Sequence, residues 1–441
     1  MDTSAPVDAD GIDVVLGAGI SGLVSASILV DQGSRRVVVV DEYPTVGGNH
    51  QDRSCGGFTF DIGSLIFQDD SPLLDHFPEL LDRYTPIEPS WSRLNPQGMI
   101  TNYPFSVHDD LLRAGPVEVA RILGSAAWAR VAHRRLHTAR DFARFWLGDR
   151  LLRRSGLENY MERFCGLPAE RIDLRFARSR MGWIAEYAAI GTAARMALAA
   201  VRGQQSAPRR NQQLARPPEG FAHLYAPAVR RLEEAGVTFR LGVRATGIDR
   251  TSDGFLLRLP GGDQPARRVV STIPLDRARE LCGLDGRTLP VVTLITLFCS
   301  FTGRRGFDTS ILYNFDHHGT WKRLTVYSDF YGHREGREFF AVEVIGGGVD
   351  TVEEAYADFR RHTAANGLFD GDLRLEGGNV LNHAYPVYTG GAGEAADRTV
   401  AALRAFGVES FGRQGGFEYQ PTARHSTLVV EAALGAERPA S

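Results

Sequence analysis

Three glycines, Gly17, Gly19 and Gly22, limit what this chain can become more than any other feature of its sequence. They stand between a β-branched run, Ile12 to Leu16, and a stretch of small residues that ends near Asp31, and a wholly apolar run follows from Val37 to Val40. The runs read as strands and the small-residue stretch as a helix, which makes a β-α-β unit. In such a unit the first glycine permits a tight turn, the second lets the backbone approach a pyrophosphate, and the third lets the helix pack closely. The helix N-terminus, entered through Ile20 and Ser21, supplies amide donors and the positive end of a dipole. Nineteen residues after Gly22, Asp41 closes the second strand, where a carboxylate can accept both hydrogen bonds of an adenosine ribose; Glu42 follows it.

Composition narrows the function. At 441 residues the chain exceeds one hydrophobic core, so two units are expected, interleaved or in series. A net charge of −3 argues against nucleic-acid binding through bulk electrostatics. Only one of the 50 basic residues is a lysine, Lys322, so chemistry that needs a lysine amine must use it. Cys55, Cys165, Cys282 and Cys299 lie too far apart for a zinc site and read as buried thiols, and no metal centre is expected. The run Ile12 to Val30 contains Asp13 and the three glycines and does not read as a membrane span. With no targeting motif, the expected location is cytoplasmic, without a membrane partner.

Along the chain, helical periodicity dominates from about Asp109 to Ala200, with arginine-rich faces around Arg130 to Arg154 that read as solvated. The stretch from Arg202 to Pro218 has no apolar periodicity and reads as a surface loop. Alternating segments at Val291–Phe301, Ser310–Phe315, Arg323–Ser328 and Phe339–Ile345 suggest an antiparallel sheet. The expected fold is α/β: a Rossmann-type dinucleotide-binding domain, read below as FAD-binding from Gly47, Gly48 and the lack of a second GxGxxG, assembled from residues 11–105, 219–286 and 395–441. A substrate domain would be interleaved with it, its helical part at 106–218 and its antiparallel sheet at 287–394.

FAD is favoured over NAD because Gly47 and Gly48, followed by Asn49, provide a second close backbone approach six residues after Asp41, and no second GxGxxG occurs. The segment GGFTFDIGS, through Gly63 and Ser64, reads as a β-turn-β element beside the cofactor. His50 reads as a satisfied surface histidine.

From Gly11 to about Ala433 the sequence resembles the FAD-containing UDP-galactopyranose mutases, within the superfamily of protoporphyrinogen oxidases, phytoene desaturases and amine oxidases. The resemblance rests on GAGISGL, VVVVDEYPTVGGN, GGFTFDIGSLIF, NYPFS, NYMERFCGLP, VVSTIPL, WKRLTVYSDF, AYPV and GRQGGFEY. It implies that Gly412 and Arg413 lie beside the flavin. It also implies that Arg323, Tyr385, Tyr419 and Arg180 hold a substrate diphosphate, a role suited to the planar, permanently charged guanidinium. The implied reaction interconverts ring forms of a nucleotide-linked sugar by attack of reduced flavin N5 on the anomeric carbon, with an external electron donor. Two positions depart from the mutase pattern. The flavin-side histidine has no counterpart in Asp61-Ile62-Gly63-Ser64-Leu65, and Cys165 stands where a tryptophan is usual. The alternative is an FAD-dependent oxidoreductase that takes hydride from a small molecule and passes electrons to an acceptor. Against an amine oxidase, the strand PVVTLITLF carries no lysine beside the flavin.

Overall fold

The computed structural model describes residues 11–63, 66–188 and 211–435. The glycine-flanked unit forms as expected: β1 (Ile12–Leu16), α1 (Ile20–Asp31) and β2 (Arg36–Asp41). β1 is buried along its whole length, as a strand covered on both faces must be. It lies at the centre of a five-stranded parallel sheet in the order Val237–Leu241, β2, β1, Arg268–Ser271, Val408–Ser410. Asp13, fully buried in β1, is not an orphan charge, because Arg267 and Ser34 donate to it.

A second sheet of seven strands runs Phe369–Pro386, Val291–Arg305, Glu338–Ile345, Trp321–Val326, Ile311–Asn314, Trp91–Leu94, Ile100–Asn102. Its pairings are antiparallel except that of Ile311–Asn314 with Trp91–Leu94. The helices Pro116–Ala132, Ala139–Ser155, Leu157–Cys165 and Leu174–Ala188 form a layer against it. Phe142, Leu152, Tyr160 and Phe176 share a core there with Ile311, Tyr313 and Phe315 of the sheet.

Two boundaries differ from expectation. Trp91–Leu94 and Ile100–Asn102, placed by sequence in the first FAD-binding stretch, belong to the seven-stranded sheet, so the chain leaves the layer of the parallel sheet before residue 91. Arg93 is the reason: fully buried, it pairs with Asp110 and donates to the Ser155 carbonyl, which ties this strand to the helices. Asp110 is the equally buried partner. The loop expected at 202–218 is, where described, partly a strand: Gln213–Ala215 pairs with Phe67–Gln68 and Thr85–Ile87. Arg216 next to it is buried and paired with Asp61 of the FDIGS segment. Burial pushes the Asp61 carboxyl up to about 6, with the Arg216 charge opposing that rise. A polar, aperiodic stretch gives no sign of being drawn under by one arginine.

Candidate active site

The three glycines and the 47–48 doublet meet. The Gly47 N–H donates to the Ala18 carbonyl at 2.8 Å, and Gly19 bridges Gly47 as two parallel strands would. A Cβ on Gly19 would lie 3.5 Å from the Gly48 Cα, and one on Gly22 would run into the Gly17 carbonyl oxygen. The result is a floor of bare backbone, which is what close approach of a pyrophosphate demands.

From this floor a cavity of about 520 Å³ extends both ways. One end passes Asp41, Glu42, Tyr43 and Arg244; the other passes Asn49, Ile66, Leu381, His383, Arg413 and Gln414. Asp41 is 8% exposed and already accepts from the Ala18 N–H at 2.6 Å and the Tyr43 N–H at 2.8 Å. It braces the glycine loop as well as facing the groove. Burial raises its carboxyl above the usual range, and the two amide bonds moderate the rise. Exposed Glu42, 3.4 Å from Arg244, offers a second carboxylate at this end. At the other end, the N-terminus of the helix Ala423–Leu434 enters the wall through Thr422, and the buried Gln420 Oε1 has no protein partner. A long, polar-ended dinucleotide fits such a groove, since it would supply phosphates for the amides and a donor for that oxygen.

Beyond Arg413 the residues nominated for substrate come together. The Arg413 guanidinium lies 5.6 Å from the Tyr385 ring centroid. The Tyr385 hydroxyl is 3.2 Å from Lys322 Nζ, and Lys322 is 2.6 Å from Glu343. Arg323 donates to the same Glu343 carboxylate. Arg180 donates to the Tyr160 hydroxyl at 3.3 Å and lies 5.7 Å from the Tyr419 ring centroid. Tyr103 and Tyr313 stack at 4.0 Å beneath Arg323. Adjacent strand residues normally point to opposite faces. Here the register slips, with Trp321 opposite Val344 and Arg323 opposite Glu343, and this bulge turns both Lys322 and Arg323 toward Glu343. A second bulge, between the Val292–Tyr385 and Leu294–Leu381 pairs, pushes Asn382, His383 and Ala384 toward the groove. There Asn49, Arg413 and Gln414 all donate to the Ala384 carbonyl.

Charge in this cluster is lopsided: Lys322, Arg323 and Arg413 share the influence of one carboxylate, Glu343, while Arg180 lies among tyrosines. Burial opposes ionisation of Glu343, but the Arg323 and Lys322 charges outweigh it and hold the carboxyl down at about 2. Burial lowers Lys322, with Glu343 pulling the other way. Burial lifts the Tyr385 and Tyr419 hydroxyls, so both remain protonated donors. Arg180 Nε and the Tyr388 hydroxyl are buried without a protein partner. The arrangement can receive and hold an anion.

A family model for flavin-containing amine oxidoreductases matches residues 20–292. The chain belongs to this family. As a flavin-containing amine oxidoreductase relative it uses FAD, and the groove has the residues to hold it. No curated protein matches its sequence. Among solved structures it is similar to reduced UDP-galactopyranose mutase, at 17% identity and a TM-score of 0.76, over 97% of this chain and 96% of that one. A protein assigned as a protoporphyrinogen oxidase from Exiguobacterium sp. 255-15 is 16% identical with a TM-score of 0.71, over 97% and 98% of the two chains. Putrescine oxidase bound to putrescine is 13% identical with a TM-score of 0.57, over 96% and 98%. At these identities the likeness is one of fold, shared by members with different chemistry.

Of the cofactor residues expected from sequence, Gly17, Gly19, Ile20, Ser21, Asp41, Glu42, Gly47, Gly48, Asn49 and Arg413 line the groove. Gly22 and Gly412 stand behind it, packed on Gly17 and Ser21. Gly63 is not among the groove-lining residues, its carbonyl accepting from the Tyr327 hydroxyl, and Ser64 lies outside the described residues. His50 is a correction. It stands half-buried in the groove wall, stacks on Phe221 with centroids 5.6 Å apart and bonds the Tyr225 hydroxyl. Burial, with help from the Arg413 charge, pushes it down to about 3. Sequence reasoning missed Glu343, Tyr313 and Gln420, which no motif marks, and Tyr160, which stands inside NYMERFCGLP.

Proposed function

We propose that this flavoenzyme interconverts the pyranose and furanose forms of a nucleotide-linked sugar. The carrying observation is the cluster of four cations and one carboxylate at the Arg413 end of the groove, with an unpartnered Arg180 Nε inside it. An amine substrate would arrive as a cation and be repelled there; a diphosphate would not. In this reading FAD, once reduced by an external donor, supplies a nucleophilic ring nitrogen. Arg180 and Arg323 hold the diphosphate and stabilise its charge as it leaves the sugar. Tyr385 and Tyr419 donate hydrogen bonds to the same group, and Lys322 with Glu343 keeps Arg323 aimed. Arg413 spans the cofactor and substrate parts, and we assign residues 91–188 and 287–394 to the substrate part. The cytoplasm is the proposed location.

A second reading is favoured by the missing histidine at 61–65: an FAD-dependent oxidoreductase acting on an anionic biosynthetic intermediate, with an external electron acceptor. One experiment divides them. Dithionite-reduced enzyme is incubated anaerobically with nucleotide sugars and the products are separated. Ring isomers formed with the flavin still reduced support the mutase. Bleaching of oxidised flavin by substrate, with no isomer formed by the reduced enzyme, overturns it.

A further inference from the structure

The helix Pro116–Ala132 lacks the polar outer face that a helix against water needs. Among its described residues only Ile122 and Ala129 are fully buried, on the side that packs on the helix Ala139–Ser155. On the opposite side Val117, Leu123, Trp128 and Val131 are 64%, 57%, 70% and 63% exposed. At a helical period of about 100° per residue, these four and the small residues between them cover an arc of about 140°. Large apolar side chains gathered on one exposed face mark a contact surface.

The rim of this face is basic. Arg113 stands just before the helix, Arg121 on its flank, and Arg134 and Arg135 just beyond its end, all exposed. Two acids stand among them: Glu118 is shared by Arg121 and Arg150, and Asp109 pairs with Arg113, which leaves Arg134 and Arg135 as the main positive charge of the rim. A second copy of the chain would set this basic rim against itself. An anionic surface would neutralise it. No helix among the described residues is long and apolar enough to cross a membrane. We propose that this helix docks the enzyme peripherally on an anionic lipid surface, with Trp128 and its neighbours sunk among the headgroups and the arginines against lipid phosphates. The arginine-rich faces that read from sequence as merely solvated, with no membrane partner, thereby gain a role independent of the reaction catalysed.

Flotation of the FAD-loaded full-length protein with phosphatidylcholine vesicles, with and without phosphatidylglycerol, tests this. Binding should need the anionic lipid, weaken at high salt, and fall about tenfold or more in Trp128→Ser/Val131→Ser, which should keep its flavin. Arg134→Ala/Arg135→Ala leaves the apolar stripe intact and should lose the preference for phosphatidylglycerol. Three results would overturn the proposal: no flotation with anionic vesicles at low salt, equal flotation of both variants and wild type, or a lipid-free dimer that the Trp128→Ser/Val131→Ser change converts to monomer.

Discussion

At the scale of single residues, Arg323 and His50 show how burial changes what a side chain can do. Arg323 is one-fifth exposed and shares Glu343 with Lys322, so removing it leaves that carboxylate paired with Lys322. Arg323→Ala should therefore cut turnover about a hundredfold or more while flavin content stays near that of wild type. Loss of bound flavin would move this arginine to the cofactor layer. His50 is held neutral: its ordinary value of 6.5 falls to about 3 when folded. Between those values the unfolded chain binds more protons, so this group's contribution is complete above about pH 6.5 and is lost as pH falls toward 3. The slope is at most about 1.4 kcal/mol per pH unit. In His50→Gln, the decline in melting temperature from about pH 7 to about pH 5 should be shallower than in wild type. Equal slopes would mean that the folded protein protonates His50 freely.

Elements act through their register and close contacts. The turn into α1 works because Gly17 has φ +101° and Gly22 packs on its carbonyl. A methyl group at 22 must displace one of them, so Gly22→Ala should weaken FAD binding about tenfold or more, read from the protein's retained visible absorbance after gel filtration. The bulge at Lys322 is a different device. A regular strand would present Lys322 and Arg323 to opposite faces. The slipped register instead sends both toward Glu343, while Trp321 turns the other way to donate to His362 at 2.9 Å. The alternation read from Arg323 to Ser328 forecast a strand there, which the structure starts at Trp321, but could not place the extra residue, which is fixed by pairing with Glu338–Ile345.

For the whole molecule, the groove is built from parts distant in sequence, including Gly17, Arg244, His383 and Gln420. A ligand that touches all of them binds the folded chain and has nothing comparable to bind when it is unfolded. FAD at about a hundredfold above its Kd should add about 2.7 kcal/mol, so the apoprotein should melt several degrees below the holoprotein. Equal melting temperatures would show that the groove is not where FAD binds.

The nucleotide-binding half was legible because its signals are local: a strand, a glycine turn and a carboxylate lie within about thirty residues and demand one backbone path. The arginines and tyrosines beyond it were legible only through resemblance, since no spacing links Arg180 to Tyr419. Glu343, Arg216 and His50 were not legible at all. A carboxylate in an apolar strand, an arginine in a polar stretch and a histidine after a turn look alike whether exposed or buried. Local spacing was enough to set the first β-α-β unit and its floor of bare backbone. Only the tertiary structure decided which charges share a buried pocket, because charge pairing depends on distances of a few ångströms between segments that nothing in the local chain brings together.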